Sequence, residues 1–475
     1  MPSTLGIVSS HYTRPPAPVS LLLRGNGTNG AQNNTFEDSS STPKTITRNG
    51  SVTQGSFSPF PLNGAAYNPS VHGGSAYFDG SSYLTTTIDR SQYKFLHDGT
   101  IDWTVEGWFF INNGDGTAIF STDPASANIG CVLSVNGILN RDIAFTIYRG
   151  VGGSWHAIAS SGGVWQYNQW THFAVTFQTS SKTLRAYING TLVATSSNPT
   201  FAYSSSDSTY PLDIGRSYYS GATSGYYYVT GHISNLRFIK GNALYTGSTL
   251  TVPTSPLTSI ANTFLLLNFT NGGVIDSVAK NNLVTSGNAQ ISTAVKKYGS
   301  GSLYFDGTGD YLTADSPGSD FGAGDFTIEG FWYFTALGST SRVLVSRWAS
   351  NFGWQLYYRG VDKKLSFFVN TGLALQCPAD ILSLNTWHHI AVSRQSGTLR
   401  MFVDGDLKEA GSLTTSLNQT RRIDIGAQEG GSGPLYFSGY MDDLRITRGA
   451  IYTKNFAPGP LSELPTTDPI NLNLL

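Results

Sequence analysis

A chain of 475 residues with a formal net charge of −1 and only 12% charged residues carries no basic footprint for nucleic acid or for an anionic membrane surface. No run approaches the ~18 apolar residues that span a bilayer, and Cys131 and Cys377 read as buried free thiols, not as a disulfide framework. The 53 glycines, set among many Ser, Thr, Asn and Tyr residues, suit short strands joined by turns, and the length suits two domains of about 200 residues each.

Residues 1–18 include Tyr12-Thr-Arg-Pro15-Pro16-Ala-Pro18 and read as an extended N-terminal arm, either an unpacked tail or an arm that docks on a neighbouring subunit. The start lacks the charged and apolar regions of a signal peptide, so synthesis in a host cytoplasm is expected. From Val19 the chain runs through a series of blocks. Val19-Ser-Leu-Leu-Leu23 is an apolar strand followed by Asp38-Ser39, and Gly74-Ser-Ala-Tyr-Phe-Asp-Gly80 leads to Tyr83-Leu84. Asp102-Trp-Thr-Val-Glu-Gly-Trp-Phe-Phe-Ile111 alternates, with Trp103, Val105, Gly107 and Phe109 on one face. Asn168-Gln-Trp-Thr-His-Phe-Ala-Val-Thr176, Thr183-Leu-Arg-Ala-Tyr-Ile-Asn-Gly-Thr191, Leu212-Asp-Ile-Gly215 and Gly231-His-Ile-Ser-Asn-Leu-Arg237 follow, and Tyr245-Thr246 and Pro253 close the series.

The series then recurs. Thr263-Phe-Leu-Leu-Leu267, Asp276-Ser277, Gly301-Ser-Leu-Tyr-Phe-Asp-Gly307 with Tyr311-Leu312, and Asp325-Phe-Thr-Ile-Glu-Gly-Phe-Trp-Tyr-Phe334 repeat the first blocks in order. Asn385-Thr-Trp-His-His-Ile-Ala-Val-Ser393, Thr398-Leu-Arg-Met-Phe-Val-Asp-Gly-Asp406, Ile423-Asp-Ile-Gly426 and Gly439-Tyr-Met-Asp-Asp-Leu-Arg445 repeat the rest. Asp404-Gly405 supplies the two positive-φ positions of a tight hairpin turn. Self-similarity of this order predicts a doubled unit. The expected fold class is all-β: two tandem antiparallel β-sandwiches over residues 19–258 and 262–464, with a C-terminal tail over 465–475.

The set Tyr-Phe-Asp-Gly, Phe-Thr-Ile-Glu-Gly-Phe, Trp-His-His-Ile-Ala-Val, Leu-Arg-Met-Phe-Val-Asp-Gly, Ile-Asp-Ile-Gly and Asp-Asp-Leu-Arg-Ile resembles the laminin-G-like, concanavalin A-like lectin/glucanase family. That resemblance implies a jelly roll of two antiparallel sheets in each copy. The Leu-Arg-Phe-Ile-Lys-Gly-Asn-Ala-Leu-Tyr-Thr ending of the first copy, with Ser-Phe-Ser-Pro-Phe at 56–60, is similar to repeats in virion proteins of tailed bacteriophages.

Glucanases of this resemblance place two carboxylates on one strand in a Glu-x-Asp-x-x-Glu spacing, and no such spacing occurs here; Glu106 and Glu329 stand alone in their strands. His172, His388 and His389 lie at alternating strand positions, where hydrogen-bonded core imidazoles are the ordinary occupants, and adjacent histidines on a strand point to opposite faces. Asn112-Asn-Gly-Asp-Gly116 and Asp404-Gly-Asp406 are read as hairpin turns. The resemblance implies a Ca²⁺ site at the sandwich rim in some relatives. Asp310 would be the candidate ligand, with Ser82 near the matching place in the first copy.

The largest difference between the copies follows the Asp-Ile-Gly strand. The first continues with Arg216-Ser-Tyr218-Tyr219 and Tyr226-Tyr227-Tyr228, preceded by Phe201, Tyr203 and Tyr210, where the second has Gln428-Glu-Gly-Gly-Ser-Gly-Pro434. Tyrosine on a Ser/Gly-rich backbone gives broad amphipathic contact area, so Tyr218, Tyr219, Tyr226, Tyr227 and Tyr228 are the candidate ligand-binding residues. The function expected is non-enzymatic: a lectin-like virion component of a tailed phage, serving decoration or adhesion to host surface glycans. The alternatives are a bacterial carbohydrate-binding adhesin module and, disfavoured by the missing carboxylate pair, a polysaccharide hydrolase. Expected partners are other virion proteins, further copies of the chain and a host glycan, without membrane insertion.

Overall fold

The computed structural model describes residues 19–25, 28–63, 65–86, 90–113, 117–122, 129–136, 141–149, 155–199, 211–219, 225–277, 281–314, 320–349, 352–370, 372–418, 421–428 and 435–459. The arm over 1–18 and the tail over 465–475 lie outside them. Among the described residues there are two eight-stranded sheets, two seven-stranded sheets and a two-stranded hairpin, all paired antiparallel.

Each eight-stranded sheet lies over a seven-stranded one, as alternation predicts. In Trp103–Ile111 the odd positions Trp103, Val105, Phe109 and Ile111 enter the first core with Leu133, Phe145 and Ile214 of the facing sheet. In Phe326–Phe334, Phe326, Ile328, Trp332 and Phe334 enter the second core with Leu356, Phe367 and Ile425. The two cores share no residue, so the doubled unit read from the sequence is present as two packed sandwiches. Fully buried Trp and Phe side chains contribute on the order of 1.5–3 kcal/mol each through area removed from water. Cys131 and Cys377 are both buried, and neither is in a disulfide.

Local chemistry sets the corners. Asp404 (φ 53°) and Gly405 (φ 84°) form the hairpin turn between Thr398–Val403 and Asp406–Ser412, and Asn189 (φ 45°) and Gly190 (φ 84°) do the same in the first half. Glycine is required at the end of each Asp-Ile-Gly block for a second reason. A Cβ on Gly215 (φ 87°) would fall 2.4 Å from the Phe78 ring, and one on Gly426 (φ 82°) 2.7 Å from the Phe305 ring.

The halves are not threaded as chain order predicts. The opening strand of the first repeat, Val19–Leu23, pairs with the closing strand of the second, Ser438–Thr447, with Val19 opposite Thr447 and Leu23 opposite Leu444. Reciprocally, Thr263–Leu267 pairs with Thr230–Lys240 in the first half. Leu23 sits in the second core, and Leu265 and Leu267 sit in the first. The boundaries 19–258 and 262–464 therefore need correction: each sandwich contains the other repeat's first strand.

The physical reason lies in the Asp-Ser pairs. Asp38 Oδ1 accepts the amide of Leu266 at 2.9 Å, and the Ser39 amide donates to the Leu266 carbonyl. Asp276 Oδ1 accepts the amide of Leu22 at 3.1 Å, and the Ser277 amide donates to the Leu22 carbonyl. Each Asp thus anchors the opposite repeat's strand. The crossing is stitched further by Asn33, whose Nδ2 donates to the carbonyls of Val274 and Leu283 at 2.7 and 2.8 Å.

Candidate functional site

The two lone glutamates are buried and held by matching sets of side chains. Both lie on the side of the eight-stranded sheet that faces away from the core, under the segment that follows the closing strand. Glu329 Oε1 accepts from Arg445 Nε at 2.9 Å, while its Oε2 accepts the Tyr452 hydroxyl at 2.7 Å and lies 3.3 Å from His389 Nε2. Glu106 repeats the set with Arg237 at 2.5 Å, the Tyr245 hydroxyl at 2.8 Å and His172 at 3.7 Å. Burial alone would raise a carboxyl pKa, but Arg445, His389 and Tyr452 outweigh it and hold Glu329 down to about 2. Glu106 is lowered for the same reasons, burial being overcome by His172 and Arg237. Each carboxylate is a fully engaged tie point, its charged form favoured by these partners, that fastens the closing segment to the sheet. His172 and His389 are buried imidazoles on this same outer face, beside the glutamates and not in the sandwich cores where strand position alone suggested core imidazoles. His388 faces the other way and bonds Asp404 Oδ2 at 2.9 Å.

Asp310 is buried, and both of its oxygens hold loops together. Oδ1 accepts the Asn288 amide at 2.5 Å and Oδ2 accepts the Asp306 amide at 2.7 Å. Among the described residues no three His, Cys, Asp or Glu side chains come close enough to hold a metal ion. Asp310 with its amide donors therefore does not make a fitted Ca²⁺ cradle by itself.

The tyrosine stretch of the first half folds as a hairpin, Arg216–Tyr219 against Gly225–Tyr228, beside Thr117–Ser121 of the seven-stranded sheet. Cross-strand pairing sets Tyr218 opposite Tyr226 and Arg216 opposite Tyr228. The side chains of Tyr218 and Tyr219 lie outside the described set, as do Phe201, Tyr203 and Tyr210. Tyr226 and Tyr228 share one face, with ring centroids 5.9 Å apart, and Tyr227 takes the other. Tyr226 is 43% exposed and Tyr227 37%.

Arg216 organises this hairpin together with Tyr83, Asp213 and Thr85, which the sequence reading did not name as site residues. The Arg216 guanidinium lies 3.3 Å over the Tyr83 ring and 4.5 Å from Tyr226. Its Nε donates to Asp213 Oδ2 at 2.7 Å, and Asp213 Oδ1 accepts from the Thr85 hydroxyl at 2.8 Å. Burial works against the Arg216 charge, but Asp213 more than offsets it and raises the guanidinium pKa. Tyr83, Tyr226 and Tyr228 thus surround a fixed cation instead of hanging on a loose loop. The signal available in sequence was Asp213 itself: the Asp-Ile-Gly aspartate has its neighbours in the cores of both repeats and so must point to the outside of the sheet.

The second half builds the equivalent face differently. Ala427 stands where Arg216 does, three positions after Asp424. Asp424 is fully buried, with Arg422 Nε 3.4 Å away. Tyr311 stacks with Tyr436 at 6.4 Å, and Arg342 donates to the Tyr436 carbonyl and not into a ring cluster.

Residues 78–244 and 271–454 match a protein-family model described as the concanavalin A-like lectin/glucanases superfamily. No curated protein sequence matches the chain. Among solved structures, the binding domain of Paraclostridial Mosquitocidal Protein 1 is similar over 38% of this chain and 47% of that one, under half its length, at 16% identity and a TM-score of 0.31. Domains LG4-5 of the mouse laminin alpha1 chain are similar over 85% of this chain and 96% of that one, at 15% identity and TM-score 0.27. Domain 4 of AbnA, an extracellular arabinanase of Geobacillus stearothermophilus in complex with arabinotriose, is similar over 37% of this chain and 86% of that one, at 18% identity and TM-score 0.32.

Proposed function

The chain belongs to the concanavalin A-like lectin/glucanase superfamily, and from that premise we propose that it is a non-catalytic, lectin-like protein that binds a surface glycan and is carried on the virion of a tailed bacteriophage. The observation that carries the glycan reading is the Arg216 guanidinium set between Tyr83 and the exposed Tyr226. A sugar presents C–H groups on one face and hydroxyls at its edge. Tyrosine rings meet the first, while the phenolic, carboxylate and guanidinium groups meet the second. Because Asp213 holds Arg216 in place, ordering the rings costs little at the moment of binding. The absence of catalysis is supported by the state of Glu106 and Glu329, whose oxygens are engaged by Arg, Tyr and His partners beneath the segment that follows each closing strand. The virion setting rests on the resemblance of the first repeat's ending to phage structural repeats.

The test is binding of purified host surface polysaccharide by calorimetry. Tyr226→Ala and Arg216→Ala should each weaken binding at least tenfold, Tyr226→Ala with an unchanged thermal transition, while Arg342→Lys in the second half should leave binding intact. Equal affinity in all variants would remove the glycan platform. Mass spectrometry of purified particles checks the virion setting separately, and absence of the chain from them would return it to the adhesin alternative.

A further inference from the structure

Surface polysaccharides present two kinds of sugar, neutral hexoses and anionic ones that carry a carboxylate or a sulfate. An arginine that reads an anion offers it a fork of parallel N–H groups. Arg216 is placed otherwise. Its Nε donates to Asp213 Oδ2 at 2.7 Å, and both side chains are largely buried. The guanidinium lies against two rings, 3.3 Å over Tyr83 and 4.5 Å from Tyr226. It stands opposite Tyr228, whose ring is 5.9 Å from that of Tyr226 and 6.5 Å from that of Tyr83. The positive charge is therefore walled by phenol rings and answered at hydrogen-bond distance by a carboxylate.

The polar groups that continue from this pair are uncharged. Thr85 lies opposite Asp213 and donates its hydroxyl to Oδ1 at 2.8 Å, and Asn49 Nδ2 donates to Thr85 Oγ1 at 3.2 Å. Arg48, the neighbour of Asn49 in the same strand, is turned to the other face by alternation and donates its Nε to the Val52 carbonyl at 2.7 Å. From the rings outward the order is ion pair, hydroxyl, amide.

On the glycan reading above, we infer that the platform takes an uncharged sugar and that Asp213 is the residue that sets this preference. An anionic sugar brought against the rings loses hydration on arrival. It meets an arginine whose field Asp213 opposes from one hydrogen bond away, so the attraction that would offset that loss is small. A neutral pyranose loses far less. Its C–H face covers the exposed Tyr226 ring, and its hydroxyls exchange water for phenol, hydroxyl and amide groups. Binding that involves no net charge is also insensitive to salt. Asp213 acts through Arg216, holding it in place and cancelling its charge.

The test is calorimetry on the full chain with one host surface polysaccharide prepared in two forms, at low and at high salt. In the neutral form its sulfates are removed and its carboxylates reduced to hydroxymethyl groups; in the oxidised form its primary hydroxyls are converted to carboxylates. Wild-type protein should bind the neutral form at least tenfold more tightly, with the same affinity at both salt concentrations. Asp213→Asn keeps the size of the side chain and uncovers Arg216. It should move the preference toward the oxidised form at least tenfold, and high salt should remove that gain. Adding Arg216→Gln to Asp213→Asn should abolish the gain as well. The inference is overturned if wild type prefers the oxidised form or does not distinguish the two, or if Asp213→Asn with an unchanged thermal transition keeps the wild-type order. The wild-type comparison needs no variant, so it decides the matter if Asp213→Asn fails to fold. Failure of the glycan reading itself looks different: neither form binds, or both bind and Tyr226→Ala changes neither affinity, and this inference then falls with it.

Discussion

In the first half Phe57 packs against His232, Phe110 and Trp170 on the outer face of the eight-stranded sheet, and a tyrosine hairpin pinned by Arg216 stands on the other sheet. In the second half Tyr440 takes the place of His232 and packs against Tyr304 and Tyr333, and Ala427 takes the place of the arginine. The strands, their registers and the buried Glu–Arg–His–Tyr sets are common to both. The difference teaches that strand residues determine where groups stand, while the short connections decide which of those groups can be reached from outside.

The sharpest way to break that comparison acts on the crossed strands. Removing residues 1–23 deletes two buried leucines, Leu22 and Leu23, and the Leu22–Asp276 bond. It should destabilise the second half by about 4–10 kcal/mol, the cost of two large buried aliphatic side chains. Hydrogen exchange should rise across 438–447 and stay unchanged across 230–240; the opposite pattern would mean that each half keeps its own first strand.

A smaller effect is expected at the shared tie points. Arg445→Met leaves Glu329 buried without its cation and should cost about 3–5 kcal/mol, as breaking a buried pair does. Arg237→Met should cost about the same in the first half, and chemical denaturation of both variants compares them. The Glu329 carboxyl is held near 2, below the ~4.3 of an unfolded chain, so this stabilisation is complete above that unfolded value and is lost as pH falls from about 4 through about 2.

The smallest effect separates the halves by pH. Burial pushes His232 down to about 3, so below pH ~6.5 the unfolded chain takes up a proton that the folded one refuses. Stability of the first half should therefore fall as pH drops from about 6.5 toward about 3, by about 2 kcal/mol at pH 5. His232→Tyr, which installs the second half's residue, should flatten the profile; thermal melts at pH 7 and pH 5 read it.

Much of this architecture is legible in the residues. Period-two patterning in Trp103–Ile111 names the core face, and Asp404-Gly405 names its turn. The doubling is plain from the repeated blocks. The partner of Val19–Leu23 is not legible, because Val-Ser-Leu-Leu-Leu and Thr-Phe-Leu-Leu-Leu present the same apolar face to either closing strand. Only the cross-repeat bonds of Asp38 and Asp276 choose between them. At the candidate site, Tyr226, Tyr227 and Tyr228 stand out by composition. Tyr83 and Asp213 do not, since each looks like an ordinary strand residue until the sheet brings it beside Arg216.

The crossed strands also set an order of events on the ribosome. Val19–Leu23 is made about 420 residues before the strand it joins, Ser438–Thr447. At about 5–20 residues per second, the early strand waits for tens of seconds as an unpaired apolar edge. The order of synthesis therefore leaves this edge without its partner until residues 438–447 have been made.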